Sequence, residues 1–183
     1  MTRAPDQVDP VVGWRVWDVV DLDGELRLCS LNFWTVWLPG HDTTALCRRA
    51  LTDLNRVGLP PHNAPEAACT CGVYAARTAG HVLTHARRFR LRSDAVHRVV
   101  GRVRLWGEVV EADRGWRGER AYPETIFVPT ARGRLSRSGR LPAPRRPVEE
   151  VGLGLAGYAV PVEIVDCDTY RRLGELLEPD SPD

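Results

Sequence analysis

The sequence predicts an α+β domain: a curled, partly barrel-like antiparallel β-sheet packed on one main helix, with a metal-stapled loop. Three observations carry this. Residues 99–111 alternate apolar and polar side chains and run into an Asp113-Arg-Gly115 turn, the pattern of a β-hairpin. Residues 71–88 repeat apolar side chains at helical spacing. Cys47, His62, Cys69 and Cys71 stand close together in the chain, and four such donors are what a tetrahedral zinc ion takes.

The elements follow in order. Residues 13–20 are rich in β-branched and aromatic side chains, residues 25–29 alternate, and Asp23-Gly24 between them signals a hairpin. Residues 31–38 predict a third strand closed by Pro39-Gly40. Leu46, Ala50, Leu54 and Val57 predict a helix over 43–57, capped by Thr43 or Thr44 and ended by Gly58 before Pro60-Pro61. In the helix predicted over 71–88, Val73, Ala76, Gly80 and Leu83 lie on one side. Tyr74, Arg77, His81, His85 and Arg88 lie on the other, and the cysteines open the helix.

Along 99–111, Val99, Gly101, Val103, Leu105, Gly107 and Val109 share a face, and the glycines mark a bend or bulge. A three-residue turn at Asp113–Gly115 pairs Glu111 with Arg117 and Val109 with Glu119. That register sets Glu111, Arg117 and Glu119 on the apolar face, and a slip of one residue turns the set over. Residues 116–121 and 126–128 predict two return strands. Residues 148–156 predict a short helix, 160–165 a strand and 168–177 a last helix.

The expected organisation is a disordered segment over 1–12, a zinc-stapled core over 13–129, an Arg/Pro-rich linker over 130–147 and an appendage with a polar tail over 148–183. A chain of 183 residues buries a core without disulfides. Its net charge of +1 argues against nucleic acid or membrane binding through bulk electrostatics. No apolar run is long enough for a membrane span, and residues 1–10 lack a signal core. All 25 basic residues are arginine, which excludes a P-loop and Schiff-base chemistry, both of which need lysine. With abundant Ala, Gly, Pro and Val, this composition suits a GC-rich genome such as an actinobacterial one. Five cysteines, an odd number, point to a reducing, cytoplasmic setting with metal binding or burial rather than disulfides.

Thiolate and imidazole are soft donors, and four of them close a zinc shell. The plainer alternative is buried thiols, and redox chemistry at a helix N-terminus is a third. If Cys47 ligates, the zinc is structural. Without it, His62, Cys69 and Cys71 leave one position open for water, a shell that resembles the nucleoside deaminases. That motif needs a glutamate two residues after the histidine, where Ala64 stands, so the structural version is favoured. His81 and His85 have zincin spacing, but Val82 replaces the glutamate, and they read as exposed histidines. Glu111, Arg117 and Glu119 are candidate ligand-binding residues, and Glu111 or Glu119 a candidate general base. A cross-strand ion pair is the plainer reading. The arginines over 132–146 lack interleaved aromatics and read as a solvated linker before a phosphate-binding one. Trp14, Trp17, Trp34 and Trp37 read as core.

The blocks His62-x-Ala-Pro65, Cys69-x-Cys71-Gly-Val-Tyr-Ala75, Leu105-Trp-Gly-Glu-Val-Val-Glu111 and Gly115-Trp-Arg-Gly-Glu-Arg-Ala-Tyr-Pro123 resemble a family of uncharacterised bacterial proteins, many of them actinobacterial. The resemblance spans about residues 13–128 and implies that these blocks share one domain. It brings no activity and no catalytic residues. The function expected is a cytoplasmic zinc-stabilised module that binds a protein or small molecule. A zinc-dependent hydrolase or deaminase, and a nucleic-acid regulator using 132–146, are the alternatives. No membrane partner is expected.

Overall fold

The computed structural model of the protein describes residues 9–47, 62–130 and 141–178. Its strands are β1 (Val11–Leu22), β2 (Glu25–Ser30), β3 (Val36–Trp37), β4 (Thr43–Thr44), β5 (Val73–Ala76), β6 (Ala95–Ala112), β7 (Gly115–Pro129) and β8 (Val162–Val165). Its α-helices are α1 (Ala79–Ala86), α2 (Val148–Leu155) and α3 (Tyr170–Leu177), with a 3-10 turn at Ala156–Tyr158. Among the described residues no helix is long and apolar enough to cross a membrane.

The strands form one sheet. β1 pairs with β5, β5 with β7, β7 with β6 and β6 with β1, so four strands close a ring. β2 and β3 extend β1 as a meander, and β8 joins β7 in parallel, which makes the sheet mixed. The α+β class and the curled sheet agree with the sequence reading. The β1–β2 hairpin forms at Asp23-Gly24, whose φ values of 54° and 87° are those an Asp-Gly turn accepts. The β6–β7 ladder bends twice. One shift comes after Arg102, where Glu124 is the extra residue and Pro123 stays in the strand; the other lies at Gly107, with φ 73°.

Alternating side chains of β1 fill two cores. Trp17 and Val19 join Leu28, Trp37, Leu105 and Ile126 against Val151 and Leu155 of α2. Trp14 and Val16 join Val100 against Leu83 of α1 and Leu173 of α3. Between the sheet and α1 lies a buried ion pair. Arg98 Nε donates to Asp18 Oδ1 (2.8 Å) and Nη2 to Oδ2 (3.3 Å), with both side chains almost fully buried. The same guanidinium donates to the carbonyls of Ala86, Phe89 and Arg90, closing the C-terminal end of α1.

Several expectations are corrected. The helix over 71–88 starts only at Ala79, capped by Thr78, and residues 73–76 are strand β5. Tertiary pairing overrides the helical period there, because Gly115 lets β7 approach closely. A Cβ on Gly115 would lie 2.0 Å from the Ala75 carbonyl oxygen. Thr43 and Thr44 do not cap a helix but pair with Ala121 and Arg120 of β7; residues 48–57 of that prediction lie outside the described residues. Of the strand expected over 31–38, only Val36 and Trp37 pair, and Trp34 is 47% exposed rather than core.

The β6–β7 turn has two residues, Asp113 and Arg114, so the register is one step from that expected: Ala112 pairs with Gly115, Glu111 with Trp116 and Val110 with Arg117. Glu111 and Arg117 therefore face opposite ways. The two expected return strands are one continuous strand. Residues 148–178, set apart as an appendage, pack on the same sheet through α2, β8 and α3. The end of the expected linker is docked too. Leu141 is buried, Arg145 Nη1 donates to the carbonyls of Arg92 (3.1 Å) and Ala95 (3.0 Å), and Arg146 pairs with Asp21. Residues 131–140 lie outside the described residues, as do 1–8 of the expected disordered segment.

Candidate metal centre

The site is built by two strands that share one edge of β7. β4 pairs through Thr44 with Arg120, and Ala45 N–H donates to Glu119 O (2.7 Å). β5 takes over one step further, with Val73 opposite Gly118. The chain thus leaves the sheet at Ala45 and returns at Val73, on adjacent positions of β7. Cys47 lies just beyond the exit, and Cys69 and Cys71 just before the return.

There the ligand atoms of Cys47, His62, Cys69 and Cys71 all lie within 4.8 Å of one another. Cys47 Sγ is 3.8 Å from Cys69 Sγ, and Cys71 Sγ is 3.5 Å from His62 Nε2. Cys47 and Cys69 are buried, with Ala64 beside them; Cys71 and His62 are partly exposed. This Cys3His cluster has the donors and spacing to hold a metal ion. The four residues singled out from the sequence are thus brought together. One premise of the redox reading fails, since the cysteines precede a strand and not a helix N-terminus.

Sequence reasoning singled out Arg117 but grouped it with Glu111 and Glu119, whereas it supports the cysteine loop. Arg117 points out of the ring beneath the cluster, and its Nη1 donates to the carbonyl oxygens of Cys69 (2.5 Å), Cys71 (2.8 Å) and Glu66 (3.3 Å). It is buried, and three carbonyls from one turn satisfy one nitrogen. Gly72 is the residue that sequence reasoning missed. It has φ 122°, and a Cβ there would lie 2.9 Å from Arg117 Cβ and 3.1 Å from Pro65 Cβ. The glycine directly after Cys71 was the signal for a turn that no L side chain fits.

Electrostatics separate the thiols. Burial pushes Cys69 up, but hydrogen bonds from the Cys71 backbone and from the Cys71, His62 and Cys47 side chains outweigh it and bring it down to about 7. Burial pushes Cys71 up to about 11, reinforced by the neighbouring Cys69 and Cys47 sulfurs and opposed by the Glu66 N–H on its Sγ (3.4 Å). One thiol is thus poised to ionise near neutral pH, the state a metal ligand needs. Compared with protein-family models, curated proteins and solved structures, the chain matches none. The geometry is therefore the only guide to function.

The other candidate residues do not assemble into one site. Glu111 is exposed at the hairpin end and pairs with Arg77, which also stacks on Trp116 at 4.6 Å. Glu119 accepts the Glu108 N–H (3.1 Å) inside the Gly107 bulge. His81 and His85 are exposed on α1, as the sequence suggested.

Proposed function

We propose that the cluster binds one zinc ion with a structural role, and that the protein is a zinc-stabilised binding module of a reducing, cytoplasmic setting. The carrying observation is the close set of Cys47, His62, Cys69 and Cys71. Zn–S bonds of about 2.3 Å and a Zn–N bond of about 2.0–2.1 Å give a tetrahedron with S···S edges of about 3.8 Å and S···N edges of about 3.5 Å. The Cys47–Cys69 and Cys71–His62 separations are 3.8 Å and 3.5 Å. Four protein donors leave no coordination position for water, which favours a structural over a catalytic ion. The two candidate bases are engaged elsewhere, Glu111 with Arg77 and Glu119 with a backbone N–H. The ion would hold the exit at Ala45 and the return at Val73 together.

Elemental analysis of the protein purified without chelator tests this. One zinc per chain is expected. A thiol reagent applied to the native protein should find Cys47, Cys69 and Cys71 protected until a chelator is added. Cys29, buried with Val20 and Ala95, and Cys167, buried in the core beside α1 and α3, should stay unreactive in both conditions. Protein without zinc, that takes up none on titration and whose three thiols react freely, would refute the assignment.

A further inference from the structure

The surface away from the metal cluster holds an unusual combination of exposed rings and arginines. The chain bends out of the sheet after Ser30, and Phe33 and Trp34 in that bend are 55% and 47% exposed. Arg92 lies over the Trp34 ring at 4.4 Å. The same bend joins the core beneath α1, since Leu31 packs against the cluster that holds Leu83 and Ala86. Exposed His85 and Arg88 stand there, with His85 against Phe89 at 4.9 Å. From His81 to Ser93 the sequence has four arginines, two histidines and no acid.

Arg15 lies in the gap where β1 passes from β5 to β2. Its guanidinium donates to the Tyr74 carbonyl and to Ser30 Oγ (2.9 Å) and lies 5.0 Å from the Trp37 ring. Its Nε is buried without a partner. Among the described residues neither Arg15 nor Arg88 pairs with a carboxylate, whereas Arg92 shares Asp94. Burial without a counter-ion pulls Arg15 down to about 10. A desolvated cation of this kind is stabilised by an anion brought to it.

We propose that this face binds single-stranded nucleic acid, with bases stacking on Phe33 and Trp34 and the phosphate backbone following Arg15, Arg88 and Arg92. Aromatic faces beside a basic track are what a flexible polyanion with planar bases recognises, without sequence preference. A folded acidic protein would use the arginines but offers no planar bases to stack on exposed rings. None of these residues is a donor of the metal cluster, and Arg15 adjoins the cluster loop only through the Tyr74 carbonyl.

The test is fluorescence anisotropy of a labelled twelve-nucleotide oligo-dT and oligo-U with the full chain, over 50–200 mM salt. Binding is expected, with log K falling against log salt with a slope of about −2 for three phosphates. Phe33→Ala and Trp34→Ala should each weaken binding about fivefold or more. Arg88→Ala should reduce the salt slope by about 0.7. Arg104→Ala, on the exposed outer face of β6, should leave affinity unchanged. Circular dichroism and metal content should match the parent in every variant. Three results would each overturn the proposal: no binding at tens of micromolar protein, affinity indifferent to both ring variants, or equal affinity for an acidic peptide of the same charge.

Discussion

Replacing Arg117 by leucine tests how the metal loop is supported. Its Nη1 donates to Cys69 O at 2.5 Å and Cys71 O at 2.8 Å, with a longer third contact to Glu66 O. A hydrogen bond to a charged group contributes about 1.5–3 kcal/mol, so the two short bonds together contribute about 3–6 kcal/mol. The leucine would also leave those carbonyls facing an apolar side chain. Discounting the third contact and allowing for some water entry, a loss of about 3–5 kcal/mol is expected. Metal affinity should fall about 10- to 100-fold, the usual effect of removing a group that orients ligands. Arg117→Lys should recover part of both, since an ammonium also donates from one nitrogen but on a shorter, more flexible side chain. Urea unfolding measures the first quantity, and competition with a chromophoric chelator the second. An Arg117→Leu protein that keeps the parent midpoint and the parent metal affinity would refute the claim that this side chain shapes the loop.

Other expectations follow from the same coordinates. Arg98→Met strands the Asp18 carboxylate and opens the carbonyl cluster at the end of α1; urea unfolding should show a loss of about 3–5 kcal/mol, and the Asp18→Leu/Arg98→Met double variant should recover much of it. Gly72→Ala should raise the dissociation constant for metal and lower the thermal midpoint, because neither its φ nor the space beside Arg117 and Pro65 accepts a methyl group. His97 is fully buried, and desolvation holds its imidazole down at about 4, against the pull of its hydrogen bond to the Pro129 carbonyl (2.8 Å). The unfolded chain takes up this proton near pH 6.5 and the folded chain only near 4. Stability is therefore unaffected by His97 above pH 6.5, falls as pH drops through that window, and ends about 3 kcal/mol lower. Unfolding at pH 7.5 and pH 5 should show His97→Gln losing about 2 kcal/mol less than the parent over that interval.

What was legible in the sequence was local or chemical. The Asp23-Gly24 hairpin is written in two residues whose backbone preferences decide the turn. The candidate metal cluster is written in donor atoms, three cysteines and a histidine between residues 47 and 71. The curled sheet was legible from the alternation along β6 as far as Leu105. What was not legible depended on distant partners. Residues 73–76 carry a helical period, but their strand state is fixed by β1 and by the glycines of β7. The β6–β7 register turned on whether Gly115 belongs to the turn or the strand, and that single step moved Arg117 from beside Glu111 to beneath the cysteines. The run over 130–147 has a linker's composition, yet Arg145 is held by carbonyls near the start of β6, which composition does not encode.

The closed ring has a bearing on how any partner can approach. β1, β5, β7 and β6 pair in a ring, with β1 and β5 meeting only at Trp14 and Ala76. Among the described residues the sheet's outermost strands are the two-residue β3 and β4 and the four-residue β8. An incoming extended peptide thus finds its longest rail along β6 beyond Leu105, where β1 has ended and Trp106–Ala112 pair with β7 alone, and the Gly107 bulge interrupts that rail. The left-handed kink at Gly107 and the exposed Glu108 and Glu111 blunt that edge against pairing with a second copy of the chain.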